Sequence, residues 1–407
     1  MTQELPHEGA LTVDSSRVAA GTGNILVLAG LAALGTLATS ILLPSLPGIA
    51  RAFGVPTASV SSAISLFLAA FAAGQLIVGP LSDRFGRRWL VLLGLVLFMI
   101  GSAICGLAND LPTLLTGRVV QALGACASSV LARAIARDLM SGEALARALA
   151  FIMIATAAAP GFSPLLGGLL EQAFGWRSAF IVVAIIAAVV ALLYNAALGE
   201  THDGVKLPLD PWHIALSYVG LIRDVRFMAP ALTVGLIMGG LFAMFSASPA
   251  ILIEGLGFSP LTLGVFFAGT VFVVFAAGMI APRLAARLGL RNAILFALVV
   301  AFIGGLALLG AQFIDRSLAT YLGPVLVFLF GMGIVSPLGT ALALSPFGDR
   351  AGLASALVGF LQMAGAAIGV SAAASVASPA VLGLGIVLVI TTFFALIVFF
   401  IGRPTTA

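Results

Sequence analysis

Charge is what this chain lacks. Its 407 residues hold 19 Lys and Arg against 15 Asp and Glu, 8% in all, where an ordinary soluble chain carries roughly 25%. So few charges cannot cover a water-soluble fold of this length, and with 61% of residues apolar the solvent is lipid. Lys206 is the single lysine and no basic run exceeds Arg87-Arg88, so the net charge of +4 does not describe a nucleic-acid surface. The two cysteines, Cys105 and Cys126, stand inside apolar runs and give neither a disulfide framework nor zinc spacing; both read as small packing residues. The three histidines (His7, His202, His213) lie outside the apolar runs. No Gly-x-x-x-x-Gly-Lys-Ser/Thr, His-Glu-x-x-His or Gly-x-Ser-x-Gly element occurs, which removes ATP hydrolysis and the usual hydrolytic sites; no cofactor or metal is expected. Glu4, Glu8 and Asp14 give the first residues the wrong charge for a cleaved leader, so the first apolar run reads as a retained span.

What is present is long apolar runs. They fall at 24–46, 58–80, 89–108, 112–132, 146–170, 178–198, 227–251, 261–281, 291–311, 319–344, 351–375 and 379–402, each near the length a helix needs to cross a bilayer. The expected fold is an all-α integral membrane protein of 12 transmembrane helices in two pseudo-symmetric six-helix bundles. A tail (1–23) leads into one bundle (24–199), a polar linker (200–226) follows, and a second bundle (227–407) completes the chain. With both termini cytoplasmic, the inner side collects fourteen basic residues from Arg17 to Arg403 and the outer loops only Arg51, Arg177 and Arg316, so the positive-inside rule sets that orientation.

A repeat relates the halves. Gly79, Asp83, Arg84 and Arg88 after the second span recur as Gly278, Pro282, Arg283 and Arg287 after the eighth, at a constant offset of 199 positions. Because helices in lipid approach closely only through small residues, glycine pairs such as Gly235/Gly239 and Gly365/Gly369 mark expected crossings. Pro44, Pro47, Pro160, Pro164 and Pro337 are expected to interrupt or end spans and to free backbone groups near a cavity.

The segment Gly79-Pro80-Leu81-Ser82-Asp83-Arg84-Phe85-Gly86-Arg87-Arg88 gathers one acid and three arginines in a short turn. Two readings are open for it: a solvated turn that fixes orientation, or a latch in which Asp83, Arg84, Arg87 and Arg88, joined by Asp138, hold one arrangement of the bundles. Arg118 stands inside the fourth span with Gln121 on its face, where a charge is costly unless it meets a partner or a polar cavity, or snorkels to the outer surface.

This loop resembles the signature between helices two and three of the major facilitator superfamily. Arg118-Val119-Val120-Gln121-Ala122-Leu123-Gly124 resembles its fourth-helix arginine motif, and Pro160-Gly161-Phe162-Ser163-Pro164-Leu165-Leu166-Gly167-Gly168 its fifth-helix antiporter motif. Ala351 to Ala356 with Gly359-Phe360-Leu361-Gln362, and Ser248-Pro249, are similar to segments of the twelve-span drug:proton antiporters of the bicyclomycin-resistance/CflA type. The resemblance implies the major facilitator fold in a bacterial inner membrane and proton-driven efflux of small hydrophobic drug-like compounds by a monomer. It assigns proton coupling or substrate response to Arg118 and Gln121, and a hinge to Pro160, Gly161, Pro164, Gly167 and Gly168. An exporter or facilitator of one metabolite, without proton coupling, is the alternative.

One departure bears on mechanism. Ser40 stands where many relatives place a first-span acid, and no span centre holds Asp or Glu, which removes the obvious counter-ion for lipophilic cations and points to neutral or anionic substrates. Cavity candidates are Ser40, Phe67, Phe71, Phe242, Phe245, Phe266, Gln362 and Met363, a soft apolar set with a few polar handles.

Overall fold

A computed structural model of the protein describes residues 22–198, 200–201, 211–313, 317–376 and 379–402. Twelve helical spans cross the membrane. In the first half they run over Thr22–Phe53, Thr57–Ser82, Arg87–Leu107, Leu111–Leu139, Gly142–Phe174 and Arg177–Ala197. In the second they run over Val225–Gly255, Pro260–Leu288, Leu290–Phe313, Leu318–Phe347, Gly352–Ser375 and Ala380–Ile401. A further helix, Pro211–Arg223, lies in the linker, while the expected tail falls outside the described residues apart from its last positions.

Local chemistry sets several of these ends. The Asp110 carboxylate accepts the Thr113 N–H (2.8 Å) at the start of span 4, which holds that carboxyl below the usual range. Asp224 caps span 7 through the Arg226 N–H (2.9 Å) and pairs with its guanidinium (2.8 Å). Pro44 lacks the N–H that would bond the Ser40 carbonyl, and span 1 leaves the α-helix there for a short 3-10 turn, Leu43–Ser45, before resuming at Leu46. Pro160, Pro164 and Pro337, expected to interrupt or end their spans, instead lie inside continuous helices. Neighbouring helices hold such kink sites in place in lipid.

The packing repeats with a step of six spans. Span 1 packs on 4, 5 and 6, as 7 does on 10, 11 and 12; 2 packs on 4 as 8 on 10; 3 packs on 4 and 6 as 9 on 10 and 12. The bundles meet through spans 2 and 11 and through spans 5 and 8, which exchange under the same step. Both expected glycine pairs serve one crossing: a Cβ on Gly235 would stand 2.7 Å from the Leu361 carbonyl and one on Gly239 2.9 Å from that of Gly365, while Gly365 and Gly369 sit against the carbonyls of Gly235 and Gly239. Spans 7 and 11 thus touch backbone to backbone.

Most of the basic side chains lie at one end of the spans, the arginine-rich face. At the opposite face the bundles share one apolar core: Leu42, Leu43, Leu46 and Ile49 of span 1 with Phe242, Phe245, Ile251 and Leu252 of span 7 and Leu263 and Phe267 of span 8. Thr57 donates to the Glu254 carboxylate across the same junction (2.5 Å). Span 1 is buried from Ala38 through Pro47, then shows a half-exposed stripe (Ala33, Thr36, Leu37) on the arginine-rich side. The molecule is therefore sealed between its halves at the arginine-poor face.

Candidate functional site

Among the described residues Arg118 is the largest wholly buried side chain. Its Nε donates to the Ala63 carbonyl of span 2 (3.2 Å), and its Nη1 to the Ala38 carbonyl of span 1 (3.1 Å) and to Gln121 Oε1 (2.6 Å). The Ala38 carbonyl is available because it belongs to the last turn before the break at Pro44. Phe67 caps the guanidinium at 4.1 Å from its ring centroid, an arrangement of about 1–2 kcal/mol when desolvated. Gln121 is held in turn by donating to Ser102 Oγ (2.7 Å), which donates to the Phe98 carbonyl (2.7 Å). No carboxylate joins this set, and Nη2 has no hydrogen-bond partner. A buried cation held only by neutral acceptors staples spans 1, 2 and 4. Arg118 does not snorkel: it points to the middle of its bundle.

At the arginine-rich end, Gly86 turns the chain between spans 2 and 3 with φ +92°, a conformation costly for any side chain, and a Cβ there would stand 2.5 Å from Glu200 Oε2. The Glu200 carboxylate accepts the backbone N–H groups of Arg87 (2.9 Å) and Arg88 (3.3 Å) at the positive end of the span 3 helix. Arg87 pairs with Asp138 (3.1 Å) and also donates to Ser82; Arg88 donates to Asn195 (2.9 Å). Arg84 lies over Phe85 (5.4 Å), and the Asp83 side chain is outside the described residues. These contacts tie spans 2, 3, 4 and 6, all of one bundle. Glu200 escaped the sequence reading; its signal is an acid just beyond span 6 with an exposed helix N-terminus to meet.

Span 5 carries the bundle junction. A Cβ on Gly161 would strike Val271 of span 8, one on Gly168 the Pro260 carbonyl, and one on Gly264 of span 8 would stand 2.5 Å from Leu165 Cα and 2.7 Å from the Pro164 carbonyl. Gly167 faces span 1 instead, against the Ile41 carbonyl.

The cavity candidates separate. Ser40, Phe67 and Phe71 are buried within the first bundle, Phe67 against Phe71 (6.1 Å) and Arg118. Phe242 and Phe245 pack edge to face (5.7 Å) in the shared seal, and half-buried Phe266 stacks on Tyr321 (5.8 Å). Gln362, half-buried, donates to Thr340 (3.4 Å), and half-buried Met363 touches the cores of both halves. Helical periodicity shows which residues share a face but not which face the opposite bundle covers, so it could not separate seal from cavity.

Known proteins agree with this architecture. The Major Facilitator Superfamily profile matches residues 28–370. Multidrug resistance protein D of Escherichia coli (strain K12) is 29% identical over 84% of this chain and 86% of its own length. The Bicyclomycin resistance protein homolog of Haemophilus influenzae is 27% identical over 90% and 94%. Among solved structures, a bacterial homolog to the human lysosomal transporter Spinster, in an inward-facing and unoccupied conformation, superposes with a TM-score of 0.73 at 17% identity, covering 94% of this chain and 98% of that one. These are transporters rather than enzymes, and with twelve spans in two repeated bundles and the profile match over most of its length, this chain belongs to the Major Facilitator Superfamily.

Proposed function

We propose that this transporter exports small hydrophobic compounds, neutral or anionic, by alternating access coupled to inward proton movement. It does so as a monomer in a bacterial inner membrane, with both termini and the arginine-rich face cytoplasmic. The observation that carries the reading is the glycine junction of spans 5 and 8 between two bundles that share a buried apolar core at the arginine-poor face, a geometry suited to rocking about spans 5 and 8 and spans 2 and 11. The drug-resistance names of the two relatives support the substrate class, and the arginine distribution supports the orientation.

In this reading the halves divide at residues 200–226, the linker helix bridges them, and Tyr218 anchors it by donating to the Leu76 carbonyl of span 2 (3.3 Å). Burial pushes that phenol up to about 12, so it stays a donor at any physiological pH. Pro160, Gly161, Pro164, Gly167 and Gly168 supply the hinge, and the Arg87, Asp138 and Glu200 clamp makes the first bundle move as one body. Arg118 with Gln121 senses the proton or the substrate through the helices it staples. Ser40 in place of an acid favours a second reading, a metabolite exporter without proton coupling. Overexpression in a drug-sensitive bacterium separates them: raised tolerance to several unrelated compounds is expected, and protection against one chemical series alone selects the second reading.

A further inference from the structure

We infer that Arg133 is an anion-recognising residue of the substrate path, reached from the arginine-rich face; the inference rests on the transport reading above. Arg118 and Arg133 are the two arginines well inside span 4. Arg118 makes three hydrogen bonds, whereas Arg133 makes no hydrogen bond or ion pair with any described residue. It is half-buried, six residues before the end of span 4 at Leu139, which places its Cα about 9 Å inside that end.

Its direction follows from helix geometry. Fifteen residues at 100° each bring Arg133 to within about 60° of Arg118 and, from Cys126, to within about 20°. Arg118 bonds carbonyls of spans 1 and 2, and the Cys126 sulfur lies against Gly74 of span 2, where a Cβ would stand 3.0 Å from it. Span 3 is on the other side, packed against Gly117, Gln121 and Gly124. Arg133 therefore points between spans 1 and 2, towards the opposite bundle, and not to the lipid-exposed side marked by Thr116 and Leu123. On that inward-directed side a side chain that remains half-exposed borders the space between the bundles, the side on which span 1 shows Ala33, Thr36 and Leu37.

Among the described residues no acid pairs with this guanidinium, and the charged side chain that acts on it is the like-charged Arg137. A planar fork of donors suits a sulfonate, carboxylate or phosphate group attached to an apolar body.

The test uses the full chain in lipid nanodiscs and two fluorescent probes with the same aromatic body, anilinonaphthalene sulfonate and neutral phenylnaphthylamine, with empty-nanodisc signal subtracted. Arg133→Gln is expected to weaken the sulfonate probe about tenfold, equivalent to ~1.4 kcal/mol, and the neutral probe less than twofold. Arg133→Lys should retain most sulfonate affinity, and Arg137→Gln should leave both probes unchanged. Equal loss of both probes, unchanged sulfonate binding in Arg133→Gln, or the same loss in Arg137→Gln overturns the assignment. Because binding is read without flux, failure of the efflux reading would show separately, as absent transport with charge-selective binding intact.

Discussion

The junction of spans 5 and 8 is tight enough to set which conformation the molecule prefers. A methyl on Gly264 would stand 2.5 Å from Leu165 Cα and 2.7 Å from the Pro164 carbonyl, backbone atoms that cannot rotate aside, and Gly168 meets the Pro260 carbonyl in the same way. Relief requires the bundles to separate by roughly 1 Å there, and overpacking of this kind costs about 1–3 kcal/mol. The cost falls on the sealed arrangement, because Gly264 and Gly168 lie at the arginine-poor end of this junction, where the bundles part as they rock. Gly264→Ala should thus shift the population towards the form open at the arginine-poor face by roughly 5-fold to 140-fold. Ser45 is a suited reporter: it is buried in the span 1 turn that contacts spans 7 and 8, and both native cysteines are buried and unpaired. With Ser45→Cys in place, a membrane-impermeant maleimide applied from the arginine-poor side should label the parent slowly and the Gly264→Ala and Gly168→Ala variants many times faster. Gly269→Ala, where nothing lies within 4 Å, should label like the parent. Gly124→Ala, which meets the Phe98 backbone inside one bundle, should lower thermal stability without faster labelling. Equal labelling of all variants, or acceleration in Gly269→Ala, refutes the argument that this junction sets the state.

Three further outcomes follow from the site geometry. Arg118→Lys keeps the charge but cannot reach the Ala38 and Ala63 carbonyls and Gln121 together; it should destabilise the protein by about 3 kcal/mol in thermal unfolding and abolish transport. Asp138→Ala removes the carboxylate that pairs with Arg87 at 3.1 Å and should cost about 1–3 kcal/mol, read by the same unfolding assay; a variant as stable as the parent would show that the pair contributes nothing. The Asp224 carboxyl is held below the usual range by its bonds to Arg226, so its contribution is present above about pH 4 and fades as pH falls through the depressed value. Asp224→Asn should be less stable than the parent near neutrality and converge with it in acid; a constant difference at all pH values would show that the carboxylate charge is irrelevant.

Apolar run length reported the spans well because the bilayer fixes it, and Gly235, Gly239, Gly365 and Gly369 were readable because lipid leaves small residues as the main route to close packing. Span ends were read short where charge begins. Span 4 continues past Ala132 to Leu139, and span 5 begins at Gly142 and ends at Phe174, because a helix can extend beyond the hydrocarbon while hydropathy stops at its edge. Pro160 and Pro164 looked like interruptions because the missing N–H is a local fact, whereas the packing that holds the helix together comes from spans 1 and 8. Arg118 was legible as a costly charge, but its partners are backbone carbonyls of Ala38 and Ala63, which no residue type announces. Phe67 and Phe242 were equally legible as apolar and equally silent about being core, since that depends on what packs against them.

Proton coupling is the claim that matters most, because Ser40 removes the residue expected to carry it. The direct measurement is substrate flux in proteoliposomes containing only this protein, with and without an imposed pH gradient. Gradient-dependent flux that collapses when a protonophore is added is the predicted result; flux of the same size with the gradient present, absent or collapsed contradicts the account.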